Sequence, residues 1–336
     1  MKFYKILFFC SMMMGSLISI SSFSWMGMWM GLEINLLSII PLMNSNKNLL
    51  SSEASLKYFI TQALASTILL FSIIVLSNDI ILIHSLKNNM VLILNSALLT
   101  KIGAAPFHFW FPEVIEGLSW LNCLILLTWQ KLAPMVLLLY NMNFPVFFSM
   151  IIIFSMLISG IMGLNQTSIR KILAYSSINH IGWMISSMFT LETIWFYYFL
   201  IYTFISLNII LIFNLLNIFY MKQLFVSMNS NIKIKFFFIM NFLSLGGLPP
   251  FIGFLPKWLA IENLVKINFF VMTFIMIVLT LLTLFYYIRL MFSTLVLSMN
   301  ETNFSIPIKH NQFWISLSNF FSIISFLACT VLFNFL

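Results

Sequence analysis

Residues 98–118 read LLTKIGAAPFHFWFPEVIEGL, and residues 241–258 read NFLSLGGLPPFIGFLPKW. Inside them, PFHFWFPE (Pro106–Glu113) and PFIGFLPK (Pro250–Lys257) share Pro-Phe, an aromatic four positions after the first proline, and a second proline at the same spacing. The copies lie 250 − 106 = 144 residues apart. Proline removes a helix N–H and clashes with the preceding turn, so each copy predicts a broken helix, near residues 104–107 (Pro106) and 246–250 (Pro249, Pro250). In lipid such a break survives only where the freed carbonyls find protein or water. Each break also stands beside a cation, Lys101 or Lys257, in an otherwise apolar stretch. Broken helices at matching places of a repeat point to a transport site.

Outward from these motifs the chain is apolar almost throughout: 62% hydrophobic and 7% charged, with a mean hydropathy of +1.06. A soluble domain has roughly a quarter of its residues charged. Apolar stretches of about twenty residues, enough to span a hydrocarbon core, recur from end to end. They predict an all-α polytopic membrane protein of about eleven transmembrane helices, centred near residues 12, 34, 65, 98, 130, 154, 179, 206, 250, 283 and 324. The 144-residue offset carries the first span onto the sixth, and an odd number of spans inverts the second copy. The expected organisation is a five-helix repeat over 1–140, an inverted five-helix repeat over 141–298, and a loop with a final helix over 299–336. These form one intramembrane bundle with no soluble domain. The first 25 residues resemble a signal peptide, but an apolar segment bearing Glu33 follows at once, so they are expected to stay as the first span.

The net charge of +8 is scattered through short loops without an aromatic-interleaved basic patch, which argues for an orientation signal and against nucleic acid. Counted alternately, the loops on the N-terminal side hold Lys2, Lys5, Lys47, Arg170, Lys171, Lys222, Lys233, Lys235 and Lys309, and the other side holds Lys87 and Lys266. That asymmetry places the N-terminus on the cytoplasm-equivalent side and the C-terminus opposite. Cys10, Cys123 and Cys329 lie far apart in apolar runs and read as small core residues.

Four charges sit at lipid depth: Glu33, Lys101, Lys131 and Lys257. Each costs at least ~2.5 kcal/mol to insert unless partners or water surround it. Desolvation and a neighbouring carboxylate pull a lysine's proton affinity in opposite directions, so a buried lysine suits a switchable proton carrier. The plainer alternative is a lysine that snorkels to the interface or sits in a static ion pair. Lys57 has i,i+4 spacing to Glu53, the spacing of a surface pair, and is also a candidate second internal charge. His180, beside Ser176, Ser177 and Asn179, fits either a proton relay or ordinary helix contacts. His108, inside the first break, fits either helix-end capping or proton transfer, while Glu113 and Glu116 read as solvated loop residues. The chain has no GxGxxG, P-loop, CxxC cluster or HExxH, and its four histidines are solitary, so no metal or cofactor site is expected in it.

EASLKYFITQALAS (Glu53–Ser66), LLTWQKLAP (Leu126–Pro134), GLNQTSIRKILAYSSINHIGW (Gly163–Trp183) and the two break motifs together closely resemble the antiporter-like membrane subunits of mitochondrial NADH–ubiquinone oxidoreductase, respiratory complex I, in their insect form. The composition agrees with an AT-rich gene read with a mitochondrial code: 38 Phe, 23 Met and two arginines. The resemblance implies two inverted five-helix repeats plus a final helix, with the chain starting at the equivalent of the fourth helix of bacterial relatives, on the matrix side. It implies a core subunit of an H+-translocating NADH:ubiquinone reductase that holds no redox centre itself. NADH, FMN, iron–sulfur clusters and ubiquinone are then bound elsewhere in the complex. The implied partners are other membrane-arm subunits, including the other antiporter-like ones, and phospholipids. The location is the mitochondrial inner membrane, with the N-terminus in the matrix and the C-terminus in the intermembrane space. Glu33 takes the place of the family's second-span acid, Lys101 that of the first-repeat lysine, Lys131 that of the central lysine, and Lys257 that of the lysine closing the second break. A stand-alone cation/proton antiporter and a non-conducting scaffold remain the alternative readings of the same charges.

Overall fold

The computed structural model describes residues 3–44, 48–77, 84–189, 191–228, 232–249, 251–296 and 319–320. Lys2, Lys47, Pro250, Lys309, His310 and Cys329 lie outside the described residues, as does the expected final helix apart from Asn319 and Phe320. Among the described residues every regular element is a helix, and Ser168 and Tyr220 form a single antiparallel bridge.

The chain divides into two compact units, residues 1–151 and 152–336. The first holds α1 (Phe3–Ser21), α2 (Trp25–Met43), α3 (Leu49–Ser77), α4 (His84–Ile102), α5 (Trp110–Gly117), α6 (Trp120–Leu127), α7 (Trp129–Leu139) and the start of α8 (Pro145–Leu164). The second holds the rest of α8, α9 (Ile169–Met188), α10 (Glu192–Leu216), α11 (Met221–Met228), α12 (Ile232–Gly246), α13 (Phe254–Lys266) and α14 (Phe270–Val296).

The 144-residue offset of the sequence motif runs through the whole architecture. Adding 144 to α1, α2, α3 and α4 gives 147–165, 169–187, 193–221 and 228–246, which overlie α8, α9, α10 and α12 within a few residues. The start of α5 at Trp110 maps onto the start of α13 at Phe254, and α6–α7 map onto α14. Only α11 has no counterpart among the described residues.

Polar groups point inward and apolar ones outward, as lipid requires. On α3 the buried side includes Ser51, Ser55, Gln62, Ser66 and Ser72, and the exposed side Leu56, Ile60, Leu64, Ile68 and Phe71. Hydroxyls on these helices donate to carbonyls three residues back, for instance Ser66 Oγ to Ala63 O at 2.8 Å, so they need no water. α1 and α2 approach closely because Gly15 and Gly31 face each other's helix; a Cβ on Gly31 would lie 2.5 Å from Ser19 N. α9 is buried all round from Ile172 to Met188, which makes it the centre of its unit.

Among the described residues seven stretches are long and apolar enough to cross a membrane: Phe3–Ser21, Trp25–Met43, Leu49–Ser77, Trp120–Leu139, Pro145–Leu164, Glu192–Leu216 and Phe270–Val296. Three more expected spans correspond to α4, α9 and the α12–α13 pair. The first two fall short because polar residues interrupt them, such as Asn88, Asn89 and Lys101 in α4 and Arg170, Asn179 and His180 in α9. The third is split by its break.

Candidate functional site: two buried polar centres at broken helices

The two breaks share one hydrogen-bond pattern. α4 stops at Ile102, and Gly103 turns left-handed with φ +81°; α12 stops at Gly246, and Gly247 does the same with φ +72°. That conformation is open to glycine and costly for other residues. Gly103 N–H donates to Thr100 O at 3.2 Å and Gly247 N–H to Ser244 O at 3.0 Å. Ala104 N–H donates to Leu99 O at 3.1 Å and Leu248 N–H to Leu243 O at 3.4 Å. Phe107 N–H reaches Ala104 O at 2.8 Å, as Phe251 N–H reaches Leu248 O at 2.9 Å. Every pair is separated by 144. Pro106 and Pro249 both lie in the gaps between helices, where no helical N–H is missed.

In the first unit the break delivers Lys101 into the interior. It lies in the last turn of α4, is 7% exposed, and borders a cavity of about 20 Å³ lined by Leu32, Asn35, Tyr58, Gln62, Gln130 and Pro134, among others. That is room for one water molecule. Glu33, on α2, interacts electrostatically with Lys101, and its Oε1 is buried without a hydrogen-bond partner. An amide ladder crosses beside the cavity. Gln130 Nε2 donates to Asn35 Oδ1 at 2.7 Å, Tyr58 Oη donates to Gln130 Oε1 at 3.5 Å, and Gln62 Nε2 donates to Lys101 O at 3.4 Å.

Lys131 follows Gln130 on α7 and is 1% exposed, with its Nζ 5.3 Å from the centre of the Phe111 ring. Phe111 comes from α5, so the helix after the break supplies the aromatic face against which the cation rests. The backbone around Lys131 is also interrupted. Thr128 separates α6 from α7, and Pro134 lacks the N–H that would pair with the Gln130 carbonyl. His108 is buried inside the break, with Nδ1 lacking a hydrogen-bond partner.

Lys57 stands apart from this centre. It bridges Glu53 at 2.8 Å and Glu113 at 2.9 Å, and all three side chains are more than a third exposed. Glu113 and Glu116 lie on α5 and not in a loop, because the helix restarts at Trp110.

In the second unit Lys257 is 8% exposed and sits in the first turn of α13. Its Nζ donates to Gly246 O at 2.9 Å and Leu245 O at 3.4 Å, so the cation caps the carbonyl end of α12. His180 is buried on α9, with Nδ1 2.9 Å from Tyr198 Oη. Asn179 Nδ2 donates to Thr283 Oγ1 at 3.1 Å.

Thus Glu33 and Lys101 are brought together in the first unit, with Lys131 buried next to Gln130 of the same cavity wall, while in the second unit His180 pairs with Tyr198 and Lys257 with the end of α12. The charge-based reading missed Asn35, Tyr58, Gln62 and Gln130 around Lys101, and Tyr198 and Tyr202 around His180. The signal was present, because each is a polar side chain inside an apolar stretch. Among the described residues no three His, Cys, Asp or Glu side chains gather as a metal site.

Residues 22–283 match the family model described as NADH:quinone oxidoreductase/Mrp antiporter, TM. NADH-ubiquinone oxidoreductase chain 2 of Anopheles gambiae is 53% identical over 324 residues, covering 95% of this chain and 94% of that protein. The protein of the same name from Locusta migratoria is 45% identical over 313 residues, covering 93% and 92%. A chain of respiratory complex I from Thermus thermophilus has the same fold, with a TM-score of 0.86 and 23% identity over 97% of this chain and 78% of that one. With the model spanning most of the sequence and relatives above 30% identity along nearly all of it, this chain belongs to the NADH-ubiquinone oxidoreductase chain 2 family.

Proposed function

We propose that this chain is a core membrane subunit of respiratory complex I that translocates protons through its two buried polar centres. NADH oxidation through FMN and iron–sulfur clusters, and ubiquinone reduction, take place in other subunits. The observation that carries the reading is Lys101: a buried cation beside a water-sized, polar-lined cavity, within reach of a carboxylate whose Oε1 makes no hydrogen bond. Such a cation can change partners.

In this reading the Glu33–Lys101 interaction tightens and loosens during turnover. The change in field alters the proton affinity of Lys131 on α7, and a proton passes towards or from Lys257. Moving one charge against 100 mV costs about 2.3 kcal/mol, so the path must close behind each proton. The pattern of repeated helices supports two five-helix repeats over 1–140 and 141–298, the second inverted, with a final span over 299–336 and about eleven spans in all. The excess of Lys and Arg in alternate loops supports an N-terminus in the matrix and a C-terminus in the intermembrane space, across the mitochondrial inner membrane. The partners are the other membrane-arm subunits, including related antiporter-like ones, together with phospholipids.

The test is Lys131→Met in the assembled complex. NADH-driven proton uptake into vesicles should be lost while the variant still co-migrates with the NADH-oxidising band on a native gel. Normal pumping by that complex would overturn the assignment. Cation/proton exchange by the isolated chain in proteoliposomes would favour a stand-alone antiporter instead.

A further inference from the structure

Two asparagines join the helix that carries Lys101 to the end of the helix that carries Lys131. Asn95 lies on α4, fully buried and six residues before Lys101, about 9 Å along the helix axis. Asn141 lies two residues past the end of α7, in the turn that leads to α8. Asn95 Nδ2 donates to Asn141 O at 3.2 Å, and Asn141 N–H donates to Leu138 O at 2.9 Å, so the turn is tied both to α4 and back onto α7. Two polar atoms of the pair remain open. Asn95 Oδ1 and Asn141 Nδ2 are both buried and have no hydrogen-bond partner among the described residues. One lacks a donor and the other lacks an acceptor, and both belong to the two residues that the 3.2 Å bond holds together.

Buried amide atoms are rarely left without partners, and ordered water is the usual answer where about two to four polar groups surround it. A water molecule meets both needs of this pair at once: it donates one hydrogen to Oδ1 and accepts from Nδ2 on its oxygen. The fold itself does not ask for polar atoms here. Adding 144 to positions 95 and 141 gives Ile239 and Phe285, so the second unit has apolar side chains at the same two places of the repeat. The pair belongs to the unit in which α4 and α7 each bring a lysine into the interior. Gln62 and Trp110 hold the carbonyl end of α4 at the break, and Asn95 holds the same helix further from it.

We infer that Asn95 and Asn141 bind one water molecule between their amides and form with it a polar clasp that sets the spacing of the helices carrying Lys101 and Lys131. Both are positioning residues, which act on the lysines through α4 and α7. The water site stands on the two open amide atoms alone, and its effect on pumping rests on the proton-translocating reading of the two lysines. Losing the clasp lets α4 and α7 shift against each other and weakens the coupling of Lys101 to Lys131.

The test combines a cryo-EM map of the assembled complex that resolves ordered water with protons taken up per NADH oxidised. The map should show a water within hydrogen-bond distance of Asn95 Oδ1 and Asn141 Nδ2; a direct bond between those two atoms, with no water beside them, would overturn the site. Asn95→Leu keeps the size of the side chain and removes every bond of the clasp, whereas Asn141→Ala removes only the donor to the water and keeps the carbonyl that Asn95 holds. Protons per NADH should fall about threefold or more in both variants. Asn141→Ser, which restores a donor, should recover most of the loss, and Asn89→Leu, at an exposed position of α4, should match wild type. A purely structural role would lower the amount of assembled complex and leave the ratio of protons to NADH unmoved. If Asn95→Leu does not assemble, the contrast of Asn141→Ala with Asn141→Ser decides alone. A wild-type ratio in Asn141→Ala would overturn the clasp. If Lys131→Met abolishes uptake in those same preparations, the clasp alone has failed; if Lys131→Met also pumps normally, the proton-translocating reading has failed with it.

Discussion

The carbonyls of Lys101 and Leu245 occupy the same place in the two breaks, 144 residues apart, and each accepts a hydrogen bond of 3.4 Å from a different kind of donor. In the first unit the donor is the neutral amide of Gln62 on α3. In the second it is the ammonium of Lys257, which also holds Gly246 O at 2.9 Å. At the first break Trp110 Nε1 adds a further neutral bond, to Thr100 O at 3.1 Å. Neutral donors thus satisfy the end of α4, which leaves Lys101 free of a capping duty and turned to the cavity and Glu33. At the second break the lysine is itself the cap. One backbone device therefore serves two energetic roles: a cation that can change partners, and a cation whose charge is tied to the integrity of a helix end.

The sharpest way to break this comparison is to remove each amine. Lys257→Met deletes two hydrogen bonds from a charged donor to buried carbonyls, each worth about 1.5–3 kcal/mol, so it should lower the amount of assembled complex as well as pumping. Lys101→Met should abolish pumping yet leave assembly near normal. Native-gel band intensity and proton uptake per NADH oxidised read the two effects separately, and equal loss of assembly in both variants would contradict the division of roles. Next in size come the glycines. Gly103→Ala and Gly247→Ala both force a side chain into left-handed backbone, at a cost of about 1–2 kcal/mol. The added Cβ of Gly247→Ala would also meet Lys257 Cδ at 2.7 Å and Nζ at 2.8 Å, whereas the nearest atoms to that of Gly103→Ala belong to the Phe111 side chain, at 3.3 Å. Gly247→Ala should therefore reduce pumping beyond its effect on thermal stability, and Gly103→Ala should not.

The amide ladder sharpens the first half of the comparison. Gln130→Leu leaves Asn35 Oδ1 without its 2.7 Å donor and makes one wall of the Lys101 cavity apolar. The expected cost is about 1–3 kcal/mol in stability, with a partial loss of coupled proton uptake. Gln130→Glu should retain the size of the side chain but repel Glu33's charge, and a variant pumping normally would show that the ladder does not shape the Lys101 environment.

The break motifs and the depth of four charges were legible because both are one-dimensional signals: proline spacing, and a charged letter among apolar ones. The offset of 144 read from eight residues extends through thirteen helices, since a repeated break needs the same neighbours to cover its carbonyls. The pairing of Lys57 with Glu113, 56 residues away, was not legible, because it depends on how α5 restarts after the first break and packs on α3. Nor was the difference in capping. Lys101 precedes its glycine by two residues and Lys257 follows its own by ten, and only the fold turns that shift into two different partners for one carbonyl.

The smallest effect belongs to the charge that sequence spacing left between a surface pair and an internal site. Lys57, Glu53 and Glu113 form an ion triplet on the exposed side of α3 and α5, where water and salt screen the attraction and long side chains lose entropy on pairing. Lys57→Gln should leave NADH oxidation, proton uptake and thermal stability near wild type, with any change shrinking further as salt is raised. It shares the first unit with Lys101 and Lys131, so it tests whether depth, and not mere membership of that unit, makes a lysine part of the path. A pumping defect in Lys57→Gln comparable to that of Lys101→Met would move the proton route towards the outer face of α3 and undo the contrast between buried and exposed charge.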